Sequence, residues 1–120
     1  MPTCVLVVED DTATRAALVL LLQAEGCAAD SVPDGRQALA YLSAHQPPRL
    51  ILLDMMMPVM DGWTFLAERR KDPALAAIPV VIFTAAGDLE LDSIRAMGAE
   101  DVLVKPVDAD ELLAVVGRYC

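Results

Sequence analysis

Apolar residues occur along this chain in short uninterrupted runs rather than at alternate positions. Four runs rich in valine, isoleucine and leucine cover residues 5–8, 50–53, 80–83 and 102–104. A run that is apolar at every position is typical of a strand buried on both faces of a parallel sheet. A fifth, more polar stretch at residues 27–32 fits a strand at the edge of that sheet.

Segments with apolar residues at helical spacing lie between these runs. In the last segment Asp108 and Glu111 have the spacing of an N-cap residue and the N3 residue of a helix. The five predicted helices cover residues 12–25, 35–45, 63–71, 88–97 and the segment that follows Asp108.

The regular alternation of strand and helix predicts an α/β fold of five βα units. Right-handed crossovers between parallel strands place helices on both faces of the sheet, which gives a doubly wound, three-layer sandwich. A length of 120 residues suits a single domain over residues 1–120.

The composition limits the classes of protein to consider. An apolar share of 56% against 22% charged residues excludes intrinsic disorder. A net charge of −9 argues against a nucleic-acid partner, because phosphate contacts depend on Lys and Arg. The apolar runs are too short for membrane insertion, and the N-terminus lacks the basic stretch of a signal peptide. We therefore expect a cytoplasmic protein.

Cysteines and clustered cations have ordinary structural interpretations. Three cysteines without a CxxC spacing argue against a disulfide framework and against a zinc site. We expect Cys4 and Cys27 to be small buried residues at strand starts, and Cys120 to be exposed. The cations at residues 69–71 are expected to be solvated at the C-terminal end of a helix, where positive charge is favourable.

Polar residues follow the four strong strands where each strand ends. Glu9 and Asp10 follow the first run, Asp54 the second, Thr84 the third and Lys105 the fourth. Because the carboxyl ends of parallel strands lie at one edge of the sheet, we expect these five residues to converge. Open α/β sheets bind their ligands at that edge.

The chemistry of these residues indicates a site for a divalent cation and a phosphoryl group. Three carboxylates cannot all remain ionised at close range without a compensating cation. Lys105 supplies one positive charge, and hard oxygen ligands favour Mg²⁺ over zinc. An aspartate beside Mg²⁺, a hydroxyl and a lysine can act as a nucleophile toward phosphorus.

Four motifs in this order resemble the receiver domain of two-component response regulators over residues 5–116. The resemblance implies a flavodoxin-like fold with the strand order 2-1-3-4-5. The motifs are Val-Val-Glu-Asp-Asp at 7–11, Asp-Met-Met-Met-Pro-Val-Met-Asp-Gly at 54–62, Phe-Thr-Ala at 83–85 and Val-Lys-Pro at 104–106.

The resemblance also implies a role for each site residue. Asp54 is similar to the phosphoacceptor, Asp10 to the direct Mg²⁺ ligand and Glu9 to an acid that reaches the metal through water. The backbone carbonyl of Met56 would complete the metal ligands. Thr84 would donate a hydrogen bond to the phosphoryl group, and Lys105 would pair with it.

Three further structural details follow from the same resemblance. The bond between Lys105 and Pro106 is expected to be cis. Asp11 is expected to face solvent or to cap the first helix. Pro58 and Gly62 are expected to shape the loop that follows the phosphoacceptor.

The implied partners are a sensor histidine kinase or a phosphotransfer protein, together with an unknown protein target. The chain would be a switch that catalyses only its own phosphorylation and dephosphorylation. A phosphorelay intermediate and a receiver excised from a hybrid kinase are alternatives, and no sequence pattern decides whether phosphorylation produces a homodimer. Exposed methionines among Met55, Met56 and Met60 could contact the kinase. Val102 stands where many receivers have a switching aromatic residue.

Two other functions of the same topology are less well supported. A phosphatase with an aspartyl nucleophile needs a second acid two residues later, where Met56 stands. A flavin-binding module needs a phosphate-cradling loop, and the acids at residues 9–11 would repel the phosphate of the flavin nucleotide.

Overall fold

Five parallel strands form one sheet in the order β2-β1-β3-β4-β5. The structure, a computed structural model, describes residues 3–85 and 91–120. The strands are β1 (Val5–Val8), β2 (Ala29–Val32), β3 (Leu50–Leu53), β4 (Val80–Ala85) and β5 (Asp101–Lys105). The helices are α1 (Thr12–Ala24), α2 (Gly35–Ala44), α3 (Gly62–Arg70), α4 (Pro73–Ala76), α5 (Leu91–Ala96) and α6 (Ala109–Val116). The predicted doubly wound sheet and its flavodoxin-like order are confirmed.

Two apolar layers lie on opposite faces of the sheet, as alternate side chains of each strand point to opposite sides. On one face the strands pack against α2, α3 and α5, through buried residues such as Leu42, Phe65 and Ile94. On the other face they pack against α1 and α6, through Leu22 and Leu112. Among the described residues, no helix is long and apolar enough to cross a membrane.

The elements differ from the prediction at three places. Strands β4 and β5 extend to include Thr84 and Lys105, which were expected to follow the strands. The short helix α4 was not predicted, because a single turn is too short to have an apolar period. It begins at Pro73 and is capped by Asp72, which accepts a hydrogen bond from the backbone N–H of Ala74. The first residues of the helix predicted at 88–97 lie outside the described residues.

Aspartates cap most of the helices. Asp11 and Asp108 accept hydrogen bonds from backbone N–H groups in the first turns of α1 and α6, as expected. Asp34 and Asp61 do the same for α2 and α3. A carboxylate at this position satisfies backbone donors that have no partner within the helix and interacts favourably with the helix dipole. Part of the acidic excess therefore has a structural use.

The loop between β3 and α3 is tightly folded. Gly62 donates a backbone hydrogen bond of 3.0 Å to the carbonyl of Met55, and a Cβ on Gly62 would stand 2.7 Å from the Cα of Met55. Only glycine permits this close approach. Between these residues Val59 has a φ of 67°, in a turn closed by a hydrogen bond from Met60 N–H to Pro58 carbonyl. The Lys105–Pro106 bond is cis, as expected.

The expectations for the cysteines were wrong on pairing and on the burial of Cys4 and Cys27, and were confirmed for the exposure of Cys120. Cys4 and Cys120 are joined by a disulfide, whereas Cys27 is free. Cys4 and Cys27 are only half-buried, and Cys120 is exposed. The two bonded residues are 116 positions apart in sequence, so their proximity depends on the packing of α6 beside β1. Cysteine spacing along the chain contains no information about that packing.

The prediction that residues 69–71 are all solvated was wrong for Arg69. Its side chain is buried, with only 3% of the residue exposed, while Arg70 and Lys71 are exposed. The Arg69 guanidinium donates hydrogen bonds to the carbonyls of Ala76 and Ile78, at 3.0 and 2.7 Å. These bonds tie the end of α3 to the segment that leads into β4. Burial lowers the pKa of Arg69.

We predict that Arg69→Met lowers the free energy of unfolding by about 2 to 3 kcal/mol, because two carbonyls lose a charged donor. Urea denaturation monitored by circular dichroism measures the change. The exposed neighbour is a matched control, and Arg70→Met should change stability by less than about 0.5 kcal/mol. Equal effects of the two substitutions would contradict the role of the buried guanidinium.

We predict that Val59→Asn stabilises the protein by about 1 kcal/mol. A β-branched residue is strained at positive φ, where asparagine is several-fold enriched. Val59 is 75% exposed, so little packing is lost. The same substitution at Val104, an exposed residue within β5, should not stabilise. A lower urea midpoint for Val59→Asn than for the wild type would refute this interpretation.

Candidate functional site

The candidate site lies at the carboxyl ends of β1, β3, β4 and β5. Val8 and Leu53 are register partners, so the residues that follow them, Glu9 and Asp54, are brought side by side. Backbone hydrogen bonds support this placement, since Asp54 N–H donates to the carbonyl of Val8 at 3.0 Å. The strands β1 and β3 are the neighbours at which the winding direction of the sheet reverses, and ligands of open α/β sheets bind there.

Three carboxylates converge at this edge, as expected. One carboxylate oxygen from each of Glu9, Asp10 and Asp54 lies within 4.8 Å of the other two. Glu9 is only 1% exposed and Asp54 only 3%, whereas Asp10 is exposed. The cluster therefore has a buried inner part and an outer acid that is open to solvent.

Lys105 is the cation that faces these acids. Its Nζ lies 3.2 Å from Oε1 of Glu9 and 3.1 Å from Oδ2 of Asp54. The same Nζ stands 5.2 Å from the centre of the Phe83 ring. A cation at this distance from an aromatic face is attracted to the ring, so Phe83 helps to orient the ammonium group.

The electrostatics of the site favour binding of a further cation. Burial raises the pKa of Glu9, and the neighbouring Asp54 raises it further, so that it reaches about 8 despite Lys105. Burial lowers the pKa of Lys105, but the hydrogen bonds and charges of Asp54 and Glu9 together outweigh this effect, so that its pKa is raised. One lysine therefore does not fully compensate the buried carboxylates.

Two buried polar atoms at this edge have no hydrogen-bond partner within residues 3–85 and 91–120. They are Oγ1 of Thr84 and Oε2 of Glu9. Buried polar atoms normally have a partner, and an exception in a cleft indicates a place for a ligand. An unpaired hydroxyl can donate to an anionic oxygen, and an unpaired carboxylate oxygen can receive a cation or a metal-bound water.

The backbone near the carboxylates is held by two contacts. The N–H of Met56 donates to Oδ1 of Asp54 at 3.1 Å, which orients that carboxylate. Arg15, on α1, donates from Nη1 to the backbone carbonyl of Glu9 at 2.8 Å. Sequence reasoning missed both Arg15 and Phe83. Arg15 comes about one helical turn after the acids at residues 9–11. Only the path of α1 shows that its side chain points back toward the carbonyl of Glu9.

The methionines beside the site have different environments. Met56 is 56% exposed, Met60 is half-buried and Met55 is fully buried. Met55 therefore cannot contact a partner, contrary to one of the expected options. The orientation of the Met55 side chain follows from the tight approach of Gly62 described above.

The donor set fits Mg²⁺. All three clustered side chains offer carboxylate oxygens, which are the hard ligands that this ion prefers. Three protein ligands are few for a calcium cage but suit an ion that usually retains several waters. The unpaired Oε2 of Glu9 and the incomplete charge compensation by Lys105 both agree with a divalent cation at this position.

The sequence matches a known family over almost its whole length. The profile of the family described as the response regulator receiver domain matches residues 5–117. The chain is 42% identical over 118 residues to response regulator PleD of Caulobacter vibrioides (strain NA1000 / CB15N). That alignment covers 97% of this chain and 26% of PleD.

Two solved structures are also similar. Chemotaxis response regulator CheY4 of Vibrio cholerae is 30% identical, with a TM-score of 0.87 over 100% of both chains. The second is the receiver domain of sensor histidine kinase PA1611 from Pseudomonas aeruginosa PAO1, solved with a magnesium ion coordinated in its active site cleft. It is 28% identical, with a TM-score of 0.85 over 99% of this chain and 98% of that one.

The chain spans half or less of the length of several curated relatives that it matches. Together, the family profile, the identity to PleD and the shared fold establish that this chain belongs to the family of response regulator receiver domains.

Proposed function

We propose that residues 1–120 form a single receiver domain in which Asp54 accepts a phosphoryl group. The observation that carries this proposal is the position of the buried Asp54 carboxylate, which lies 3.1 Å from the ammonium group of Lys105 and clusters with Glu9 and Asp10. A buried nucleophile beside a fixed cation and an unpaired hydroxyl suits transfer of an anionic group.

The transfer step uses three side chains of the chain itself. A carboxylate oxygen of Asp54 attacks phosphorus, and the bond from phosphorus to the donor, a phosphohistidine nitrogen or a small acyl phosphate, breaks. The donor leaves with the electron pair of that bond. Lys105 and the hydroxyl of Thr84 neutralise charge on the phosphoryl oxygens, and such electrostatic stabilisation accounts for most of the catalysis in phosphoryl transfer.

Mg²⁺ is the cofactor that we assign to this site. Asp10, Asp54 and the backbone carbonyl of Met56 would hold it directly, and Glu9 would contact it through water. When bound, Mg²⁺ supplies positive charge that offsets the charge of the phosphoryl oxygens. The magnesium ion reported in the PA1611 receiver domain supports this assignment.

The phosphodonor is a sensor histidine kinase or a phosphotransfer protein, and the response is contact with a protein target in the cytoplasm. Met56 is exposed, and its backbone N–H contacts Asp54, so its side chain would touch the donor. The similarity to CheY4 supports a stand-alone switch, while the similarity to the PA1611 receiver supports a phosphorelay or a hybrid kinase. The net charge of −9 argues against direct binding of nucleic acid. Phosphorylation-dependent homodimer formation is a further option for the output.

The response to phosphorylation cannot depend on a switching aromatic residue at position 102, because this chain has valine there. Val102 is half-buried and packs against the apolar layer that includes Ile94 of α5. Thr84 pairs with Val104 in the sheet, two residues after Val102. A change at the Thr84 hydroxyl would reach α5 through the segment at residues 86–90, which lies outside the described residues.

We predict that acetyl phosphate with Mg²⁺ phosphorylates the wild-type chain and that Asp54→Asn abolishes this labelling, because the amide is not a nucleophile. A phosphate-affinity gel measures the shifted band, and EDTA should prevent it. Asp30→Asn is the matched control, since Asp30 is an exposed acid on β2 away from the cluster. Strong labelling of Asp54→Asn would refute the assignment, and steady hydrolysis of a phosphomonoester would indicate a phosphatase instead.

We predict that without metal the free energy of unfolding decreases as pH rises from about 5.5 to about 8. In this range the folded protein retains a proton on Glu9, whose pKa is raised to about 8, while the unfolded chain has released it at the ordinary value of 4.5. Fewer protons bound in the unfolded state mean lower stability at higher pH. Urea denaturation in EDTA measures this slope.

The glutamine variant is the control for that titration. Glu9→Gln should lose most of the slope, because the amide does not titrate. Added Mg²⁺ should stabilise the wild type more near about pH 8 than near about pH 5.5, because fewer protons compete with the metal for Glu9 at the higher pH. A slope that is unchanged in Glu9→Gln would show that another group titrates.

A further inference from the structure

All three cysteines of the chain lie at the edge of the sheet opposite the acidic cluster. Cys4 directly precedes β1 and Cys27 precedes β2, so both lie at the amino ends of their strands. Cys120 follows α6, the helix that leads away from Lys105. The three cysteines line one pocket of about 570 Å³, together with Arg49. The function proposed above uses none of these residues.

The local backbone places the bonded pair within reach of each other. Cys4 N–H donates to the carbonyl of Ala28 at 2.7 Å, which anchors it beside β2. Cys120 N–H donates to the carbonyl of Val116 at 3.1 Å, which continues the last turn of α6. The Cα atoms of Cys4 and Cys120 are 6.2 Å apart, within the range that a disulfide spans. Cys27 remains free in the same pocket.

We propose that Cys4 and Cys120 form a reversible, oxidation-dependent clamp that ties the end of α6 to the start of β1. Cys120 is exposed and Cys4 is half-buried, so both oxidants and reductants can reach the pair. Exposed disulfides are the ones that exchange readily, whereas fully buried ones resist reduction. In a reducing compartment the pair is held as two thiols.

Hydrogen peroxide is the oxidant class that we assign to the forward reaction. The Cys120 thiolate, the more exposed of the two, attacks one peroxide oxygen, the O–O bond breaks, and a sulfenic acid and hydroxide form. The Cys4 thiol then attacks the sulfenic sulfur, the S–O bond breaks and water leaves. In total, two thiols and one peroxide give one disulfide and two waters. A dithiol reverses the reaction through a mixed disulfide.

The clamp acts on the C-terminal end of α6. Helix α6 is held by the buried apolar residues Leu112, Val115 and Val116. Beyond it, the ion pair between Arg118 and Asp101 spans 3.5 Å, with 65% of the Arg118 side chain and 36% of the Asp101 side chain exposed. Exposed ion pairs contribute little. Oxidation therefore adds a covalent restraint at the C-terminal end of α6.

The 120-residue chain, first reduced with dithiothreitol, is treated with hydrogen peroxide and then alkylated with N-ethylmaleimide. We expect intact mass to change from three adducts in the reduced protein to one adduct, on Cys27, in the oxidised protein. The oxidised form should melt roughly 10 °C higher, because the bond restricts a long loop in the unfolded chain. Backbone amides near Val116 should exchange more slowly, and dithiothreitol should reverse all three changes.

Two variants separate this proposal from general thiol oxidation. Cys120→Ser, at an exposed position, should abolish the mass change and the rise in melting temperature. Cys27→Ser should retain both. The proposal is overturned if peroxide leaves Cys4 and Cys120 open to alkylation, if it links Cys27 to either residue, or if it joins two chains instead.

Discussion

The ion pairs of Lys105 with Glu9 and Asp54 stabilise the two acids that are buried at this edge of the sheet. Parallel pairing of β1 with β3 forces two acids to lie side by side in a buried position, where their mutual repulsion is poorly screened. The ammonium group at 3.1 to 3.2 Å offsets part of that repulsion. Burial, and then the neighbouring Asp54, raise the pKa of Glu9 despite Lys105. The convergence of acids and a lysine at this edge is therefore a consequence of the topology.

Aspartate carboxylates have different roles at different places in the fold. Aspartates such as Asp11, Asp61 and Asp108 satisfy the first N–H groups of helices and remain solvated. Asp54 emerges from a strand at the centre of the sheet and is surrounded by protein. The net charge of −9 thus combines helix caps, surface charge and a small reactive cluster.

Much of the fold could be predicted because buried parallel strands have uninterrupted apolar runs. The strand order followed from the family motifs, and convergence of the site residues followed from parallel pairing. Other features depend on contacts between distant segments. Arg69 looks like part of a solvated basic helix end, yet its guanidinium reaches carbonyls that α4 and the following turn bring within 3.0 Å. Arg15 and Phe83 were missed for the same reason.

The sequence alone determined the class of fold, the edge at which chemistry collects and the residue types found there, because these depend on local periodicity and on the order of strands. The tertiary structure decided which acids are buried, which oxygen atoms lack a partner and how far Lys105 reaches. It also paired Cys4 with Cys120 across 116 residues. Burial and pairing arise from the packing of separate elements. The spacing of residues within a single element does not reveal that packing.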